Sequence, residues 1–163
     1  MQKQLVSLLI AYLLCSFGAF AQTRTLSFTK SPLNPSFKYA GESFLVEGII
    51  IADKRNATGR EMYFATKREE YQDVLITWIS VNKEAEVLKV LFVYITKEQS
   101  KHLVFGTLTD QDSLNISILD DTFLAESIAE DSIGKSEIQL NELSISKFKS
   151  KEAVEKFKKF LEN

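Results

Sequence analysis

This sequence is poor in the residues that most often carry catalysis and metal binding: it contains one cysteine, Cys15, and one histidine, His102. A chain with one of each excludes cysteine-rich zinc sites and sites built from several histidines. His102 opens an apolar run and no Gly-x-Ser-x-Gly pattern accompanies it, so we interpret it as a residue at the end of a strand. We therefore predict no catalytic residue, no metal site and no cofactor, and we favour a non-enzymatic role over an enzymatic one.

A concentrated positive charge is also missing. The chain has 20 lysines and arginines against 22 aspartates and glutamates, whereas a nucleic-acid-binding domain needs a concentrated basic face. Several lysines gather near the C-terminus, but Glu152 and Glu155 lie among them. We predict no nucleic-acid partner, and we favour a solvated helix surface over contact of the C-terminal helix with an anionic membrane surface.

Residues 1–21 have the three parts of a cleavable secretory signal peptide. A positively charged start is followed by the apolar run Leu5 to Cys15, and Ala19-Phe20-Ala21 has the small-x-small pattern of a cleavage site. Two alternatives are an uncleaved membrane anchor and a lipoprotein acylated at Cys15. We favour cleavage, because the segment is at the lower limit of length for a spanning helix and the bulky Leu14 directly precedes the cysteine.

Removal of this segment leaves residues 22–163, a length typical of a single domain, and leaves no cysteine. We predict no transmembrane helix after cleavage, since the longest uncharged apolar stretch that remains, Val90 to Ile95, suits a strand. Small extracellular animal domains commonly depend on disulfides. An exported domain without one is more typical of a bacterial envelope, so we predict a periplasmic or secreted bacterial protein.

Alternating and β-branched segments predict that the domain is mainly β. The strongest signal is Val74 to Val81, which a short charged turn connects to Val87 to Ile95, and this pattern predicts a hairpin. Both strands are apolar on both faces, so we expect them at the centre of a sheet that is covered on both sides. The other predicted strands are 25–29, 43–52, 60–70, 102–109, 114–119 and 137–148.

Two of the remaining patterns need an interpretation. The spacing of Thr58 and Glu61 fits the start of a helix over 60–70, whereas the alternation of Met62 and Phe64 fits a strand, which we favour. The apolar residues of 122–129 fall at helical spacing, so we predict a short helix there.

The C-terminal segment predicts an amphipathic helix over 150–162. Ser150 suits the N-cap, and one apolar stripe follows at helical spacing, formed by Ala153, Val154, Phe157, Phe160 and Leu161. We therefore predict a mainly β domain (α+β), with an antiparallel sheet or half-closed barrel of about seven or eight strands and this helix packed on it. Such an architecture resembles lipocalin-like barrels, although no lipocalin signature motif is present.

Aromatic residues on the predicted strands are the candidates for ligand binding, namely Trp78, Tyr94 and Tyr63. Together with the missing catalytic chemistry, they predict a non-catalytic exported protein that binds a small apolar ligand or an envelope partner protein. One alternative is a carboxylate-based hydrolase acting on glycans, which would draw on Asp120, Asp121, Glu126, Glu130 and Asp131. The other is a purely structural or interaction protein of the envelope.

The signal-peptide interpretation predicts the N-terminus of the exported protein. Intact-mass analysis and N-terminal sequencing should identify Gln22 as the first residue, and the exported protein should not react with thiol reagents because Cys15 is removed. An Ala21→Leu variant should accumulate as a thiol-reactive precursor. A Thr23→Leu variant, altered just after the cleavage site, is the control. Thiol labelling of the exported wild-type protein would contradict the prediction.

Overall fold

A computed structural model describes residues 36–39, 42–46, 48–129 and 136–163 of the chain. The predicted signal peptide (1–21) and the predicted strand at 25–29 lie outside the described residues. Eleven strands are present in the described part, all paired antiparallel, together with one short helix and one C-terminal helix. The prediction of a mainly β chain with antiparallel sheets and a C-terminal helix is confirmed.

Six strands form the main sheet, in the spatial order β10-β9-β6-β5-β4-β3. Four of them follow one another as a meander, and β9 returns to pair with β6. The predicted hairpin is therefore confirmed and lies at the centre of the sheet. The strands are β3 (Ile49–Arg55), β4 (Gly59–Arg68), β5 (Asp73–Asn82), β6 (Val87–Thr96), β9 (Phe123–Ala129) and β10 (Ser136–Leu140).

The remaining elements form smaller units. A three-stranded sheet has the order β11-β8-β7, and a two-stranded hairpin pairs β1 with β2. Their strands are β1 (Ser36–Tyr39), β2 (Glu42–Leu45), β7 (Leu103–Phe105), β8 (Ser113–Ile118) and β11 (Glu142–Ser146). The helices are α1 (Lys97–Ser100) and α2 (Lys151–Glu162).

The central strands of the main sheet bury side chains on both faces. We call the face that carries Ile76 and Val93 the inner face; its residues form one core with the three-stranded sheet and α2. The outer face carries Met62 and Phe64, both fully buried, and forms a second core. Val46, which follows β2, belongs to this second core, and β1 comes close to β6. The predicted cover on both sides of the central strands is therefore present.

Helix α2 closes the inner core at the end of the chain. The hydroxyl of Ser150 accepts a hydrogen bond from the backbone N–H of Ala153 at 3.2 Å, which caps the helix as the sequence predicts. Phe157 is buried, and its ring lies 5.9 Å from that of Phe148 and 6.3 Å, edge-on, from that of Phe105. The helix is therefore fixed to the three-stranded sheet by aromatic packing.

The predicted short helix at 122–129 is wrong, because this segment is strand β9. Leu124 pairs with Tyr94 of β6 on one side and with Gln139 of β10 on the other, so backbone hydrogen bonds from two neighbours hold it extended. Phe123 and Ala125 are fully buried while Leu124 is 45% exposed. The helical spacing of the apolar residues is therefore overridden by sheet pairing on both sides of the segment.

The predicted strand at 43–52 is divided into β2 and β3 at Gly48. This glycine has a φ of +115°, and a Cβ atom there would collide with the backbone carbonyl of Ala65. A side chain at this position is therefore excluded by both backbone conformation and space. The glycine lets the chain turn between the two strands.

Three further boundaries depend on tertiary pairing. The segment 60–70 is strand as favoured, ending at Arg68. The segment 137–148, predicted as one strand, breaks at Asn141 into two strands that belong to different sheets. The strand predicted at 102–109 extends only over Leu103–Phe105.

The main sheet does not close into a barrel. Strands β3 and β10 are its edges, and neither pairs with the other within the described residues. Of the two predicted arrangements, the structure has the antiparallel sheet and not the half-closed barrel, so the resemblance to lipocalin-like barrels does not hold. A second sheet and a helix pack on the inner face of this open sheet. No helix in the described part of the chain has the length and apolar character required to cross a membrane.

The aromatic packing of α2 predicts a large loss of stability on truncation. Phe157→Ala should lower the free energy of unfolding by about 3–5 kcal/mol, because it removes a buried ring and leaves a cavity between two sheets and a helix. Urea unfolding measures this difference. The matched control is Lys156→Ala, an exposed neighbour on the same helix, which should change the stability by less than about 0.5 kcal/mol. Equal effects of the two changes would contradict the docking of α2.

Candidate functional site

Two of the three aromatic candidates lie side by side on the inner face. Tyr63 of β4 pairs directly with Trp78 of β5, and Trp78 pairs with Leu91 of β6. The centroids of the Tyr63 and Trp78 rings are 6.3 Å apart, with planes tilted by 35°. We call Tyr63, Trp78 and Leu91 the aromatic row. It crosses three central strands, so its backbone positions are held by continuous sheet pairing.

Trp78 combines a partly exposed ring with a buried polar atom. Its Nε1 atom is inaccessible to solvent and has no hydrogen-bond acceptor among the described residues. Buried N–H groups are almost always paired, and leaving one unpaired costs about 1–3 kcal/mol. An unpaired donor in a native core calls for an acceptor supplied from elsewhere, such as a ligand or an ordered water molecule.

Tyr63 is anchored at its polar end. It is buried, and its hydroxyl donates to the backbone carbonyl of Ser144 at 3.3 Å, which links β4 to β11 of the three-stranded sheet. Burial raises the pKa of the Tyr63 phenol, and the nearby carboxylate of Glu61 acts in the same direction. The ring that flanks Trp78 is therefore fixed in the apolar layer and remains neutral at ordinary pH.

Polar side chains follow the aromatic row towards one end of the strands. Glu61, Ser80 and Lys89 pair with one another across β4, β5 and β6, and they share the inner face because each lies two residues from a member of the aromatic row. We call these three residues the polar row. The Lys89 ammonium group lies 5.7 Å from the centroid of the Trp78 ring. The inner face thus passes from charged to aromatic to aliphatic side chains along the strands.

The third candidate, Tyr94, lies on the outer face and belongs to a separate cluster. Its hydroxyl donates to Glu126 at 2.9 Å, and its ring stacks on the guanidinium of Arg68, whose carbon atom lies 4.8 Å from the ring centroid. Arg68 also stacks on Tyr71 and forms a two-point ion pair with Asp73, its direct cross-strand partner. This cluster stabilises the β4–β5 turn, and Tyr94 does not join the aromatic row.

The described acidic residues that were candidates for a hydrolase lie in different surroundings. Asp121 is exposed, and hydrogen bonds from Gln99 and from the backbone of Thr122 lower the pKa of its carboxyl group. A general acid requires the opposite shift. Glu126 is buried on the outer face against Tyr94, and Asp120 lies in the turn before β9 with a φ of +60°. The two other acidic candidates, Glu130 and Asp131, lie outside the described residues.

Among the described residues, no group of three or more histidine, cysteine, aspartate or glutamate side chains is arranged to hold a metal ion. His102 lies directly before β7 and is exposed, with its Nε2 atom 3.7 Å from a carboxylate oxygen of Glu98. It therefore directly precedes a strand, next to the strand-end position interpreted from the sequence.

Sequence reasoning missed Lys89 as a member of the site. Lys89 and Leu91 alternate on β6, so a shared face was visible from the pattern. Their contact with Trp78 depends on the register of the hairpin, and β6 has a bulge opposite Val81. The register could not be derived from the pattern, because both faces of both strands are apolar.

Comparison with protein-family models, with curated protein sequences and with solved structures finds no match to this chain.

The raised pKa of Tyr63 predicts a loss of stability in alkaline solution. The folded state keeps the phenol protonated at a pH where the unfolded chain, with an ordinary tyrosine pKa of about 10, has begun to release the proton. The unfolded state then binds fewer protons, so the free energy of unfolding falls as the pH rises above about 10. Tyr63→Phe should weaken this dependence. Urea unfolding between pH 8 and pH 11 measures it, with the exposed Tyr71→Phe as control; identical slopes for Tyr63→Phe and the wild type would contradict the prediction.

Proposed function

We propose that this chain is a non-catalytic exported protein that binds a small, mainly apolar ligand at the aromatic row. The observation that carries the proposal is the buried N–H of Trp78 without an acceptor among the described residues. Export is supported by the signal-peptide pattern of residues 1–21.

A ligand that brings a hydrogen-bond acceptor to Trp78 would recover the cost of this unpaired donor. The recovered free energy appears only when the ligand is bound, so the donor favours compounds with an acceptor over plain hydrocarbons. A donor that was satisfied within the protein would give no such preference.

The surroundings of Trp78 have the composition of a ligand site. Small-molecule sites are mainly apolar and aromatic, with a few polar groups that orient the ligand. Here Tyr63 and Leu91 flank the indole, and Lys89 and Ser80 provide polar groups next to it. Leu91 and Trp78 are only partly buried, so apolar surface at this row is accessible from solvent.

The test uses Trp78 as its own reporter, since it is the only tryptophan in the chain. Residues 22–163 are titrated with methyl decanoate, which carries a carbonyl acceptor, and with decane, which carries none. We expect a saturable change of indole fluorescence with the ester and a weaker response with the hydrocarbon.

Trp78→Phe, which keeps an aromatic ring and removes the donor, should weaken ester binding in calorimetry by about 5- to 150-fold, the equivalent of about 1–3 kcal/mol. Tyr71→Phe is the control, because Tyr71 is 64% exposed and packs on Arg68 in the outer-face cluster. Binding that is absent, or that is equal for wild type and Trp78→Phe, would contradict the proposal.

Native mass spectrometry of the protein purified from its own compartment gives an independent result. A bound compound of low mass would support the ligand site. A bound protein without any small ligand would favour the alternative of an envelope partner.

A further inference from the structure

Lys89 lies at the edge of the proposed site and has no ion-pair partner among the described residues. It is exposed to solvent. Its ammonium group lies over the Trp78 ring, 5.7 Å from the centroid. A cation–π contact of this kind contributes little at an exposed position, so the ammonium group remains available to an anion.

Lys89 and Trp78 together present two kinds of donor near one place. The ammonium group offers up to three N–H donors, and the indole Nε1 offers one that is unpaired among the described residues. A carboxylate has two acceptor oxygens, which matches one donor from each side chain. An ester or an alcohol would satisfy the indole and leave the ammonium group without a counter-charge.

The rest of the inner face favours a ligand with one charged end. From Lys89, strand β6 continues on the same face to Leu91, about 7 Å away at about 3.3 Å per residue, and then to Val93, which is 1% exposed and part of the inner core. Leu91 and Ile138 are partly buried residues that pack against this core. A hydrocarbon chain that starts at the polar row would therefore lie on the accessible part of Leu91, at the border of the core.

Glu61 sets a limit on the charge of the ligand. It lies two strands from Lys89 in the polar row, and its direct cross-strand partner on β3 is Lys54. Lys54 offsets part of this negative charge, but Glu61 still repels anions, and it repels a dianion more strongly than a monoanion. A carboxylate is consequently favoured over a phosphate monoester.

We propose, on the basis of the proposed ligand site, that the ligand is a single-chain amphiphile with a carboxylate head. Lys89 and Trp78 bind the carboxylate, and the hydrocarbon chain lies along Leu91. Lys89 acts here as the residue that determines specificity for the anionic head.

The experiment compares decanoate, methyl decanoate and decyl phosphate by calorimetry at low ionic strength. Decanoate should bind wild-type protein about three- to tenfold more tightly than the ester, and added salt should reduce this preference. In Lys89→Met, which keeps the apolar stem and removes the charge, the affinity for decanoate should fall to the affinity for the ester measured on the same variant, so that the preference disappears. Glu61→Gln, the matched variant of opposite charge, should increase the preference.

Each outcome separates the two proposals. Equal affinities for decanoate and the ester, or a preference that survives in Lys89→Met, would overturn the carboxylate assignment and leave the proposed function standing. Tighter binding of decyl phosphate than of decanoate would also overturn it. If no compound binds saturably, the ligand site itself fails. Thermal unfolding of Lys89→Met, an exposed substitution, should match the wild type and so exclude misfolding as the cause.

Discussion

The architecture depends on one constraint: the central strands β5 and β6 are apolar on both faces, so the sheet they form must be covered on both sides. Burial of apolar surface is the dominant favourable contribution to folding. If either face of these strands were left in water, the free energy gained by burying its side chains would be lost. The three-stranded sheet and α2 cover the inner face. On the outer face Met62 and Phe64 are fully buried, and Val46, which follows β2, belongs to the same core. The open sheet is thus the middle layer of the domain.

The candidate site lies at the border between the buried side chains of the inner face and the polar row. Fully buried aliphatic side chains such as Ile76 are followed along the strands by the aromatic row and then by the polar row. The Tyr63 hydroxyl donates a hydrogen bond to the backbone carbonyl of Ser144 in β11, and this bond links the main sheet to the three-stranded sheet beside Trp78. The same layer packing that stabilises the domain therefore fixes the ring next to the unpaired indole, so any ligand would meet a preorganised surface.

Local patterns predicted the strongest elements, and long-range pairing decided the rest. The hairpin of β5 and β6 and the helix that follows Ser150 followed from β-branched runs and from an N-cap with an apolar stripe. Residues 122–129 carry a helical spacing of apolar residues, and the pairing of β9 with β6 and β10 overrides it. Tyr63 and Trp78 were proposed as aromatic residues on strands. The approach of Lys89 to Trp78, and the separation of Tyr94 onto the outer face, depend on cross-strand register.

At Asn141 the chain passes from the main sheet to the three-stranded sheet, so the strands of the two sheets alternate along the sequence. Strand β8 pairs with β11, although β9 and β10, which lie between them in sequence, belong to the main sheet. Neither sheet can be completed from a contiguous stretch of chain, and this favours a single all-or-none transition over stepwise unfolding of the two sheets. It also means that a chain that grows from its N-terminus completes its tertiary pairing only when Glu142–Ser146 and α2 have been added. The last residues to be synthesised thereby determine when the two sheets can join into one domain.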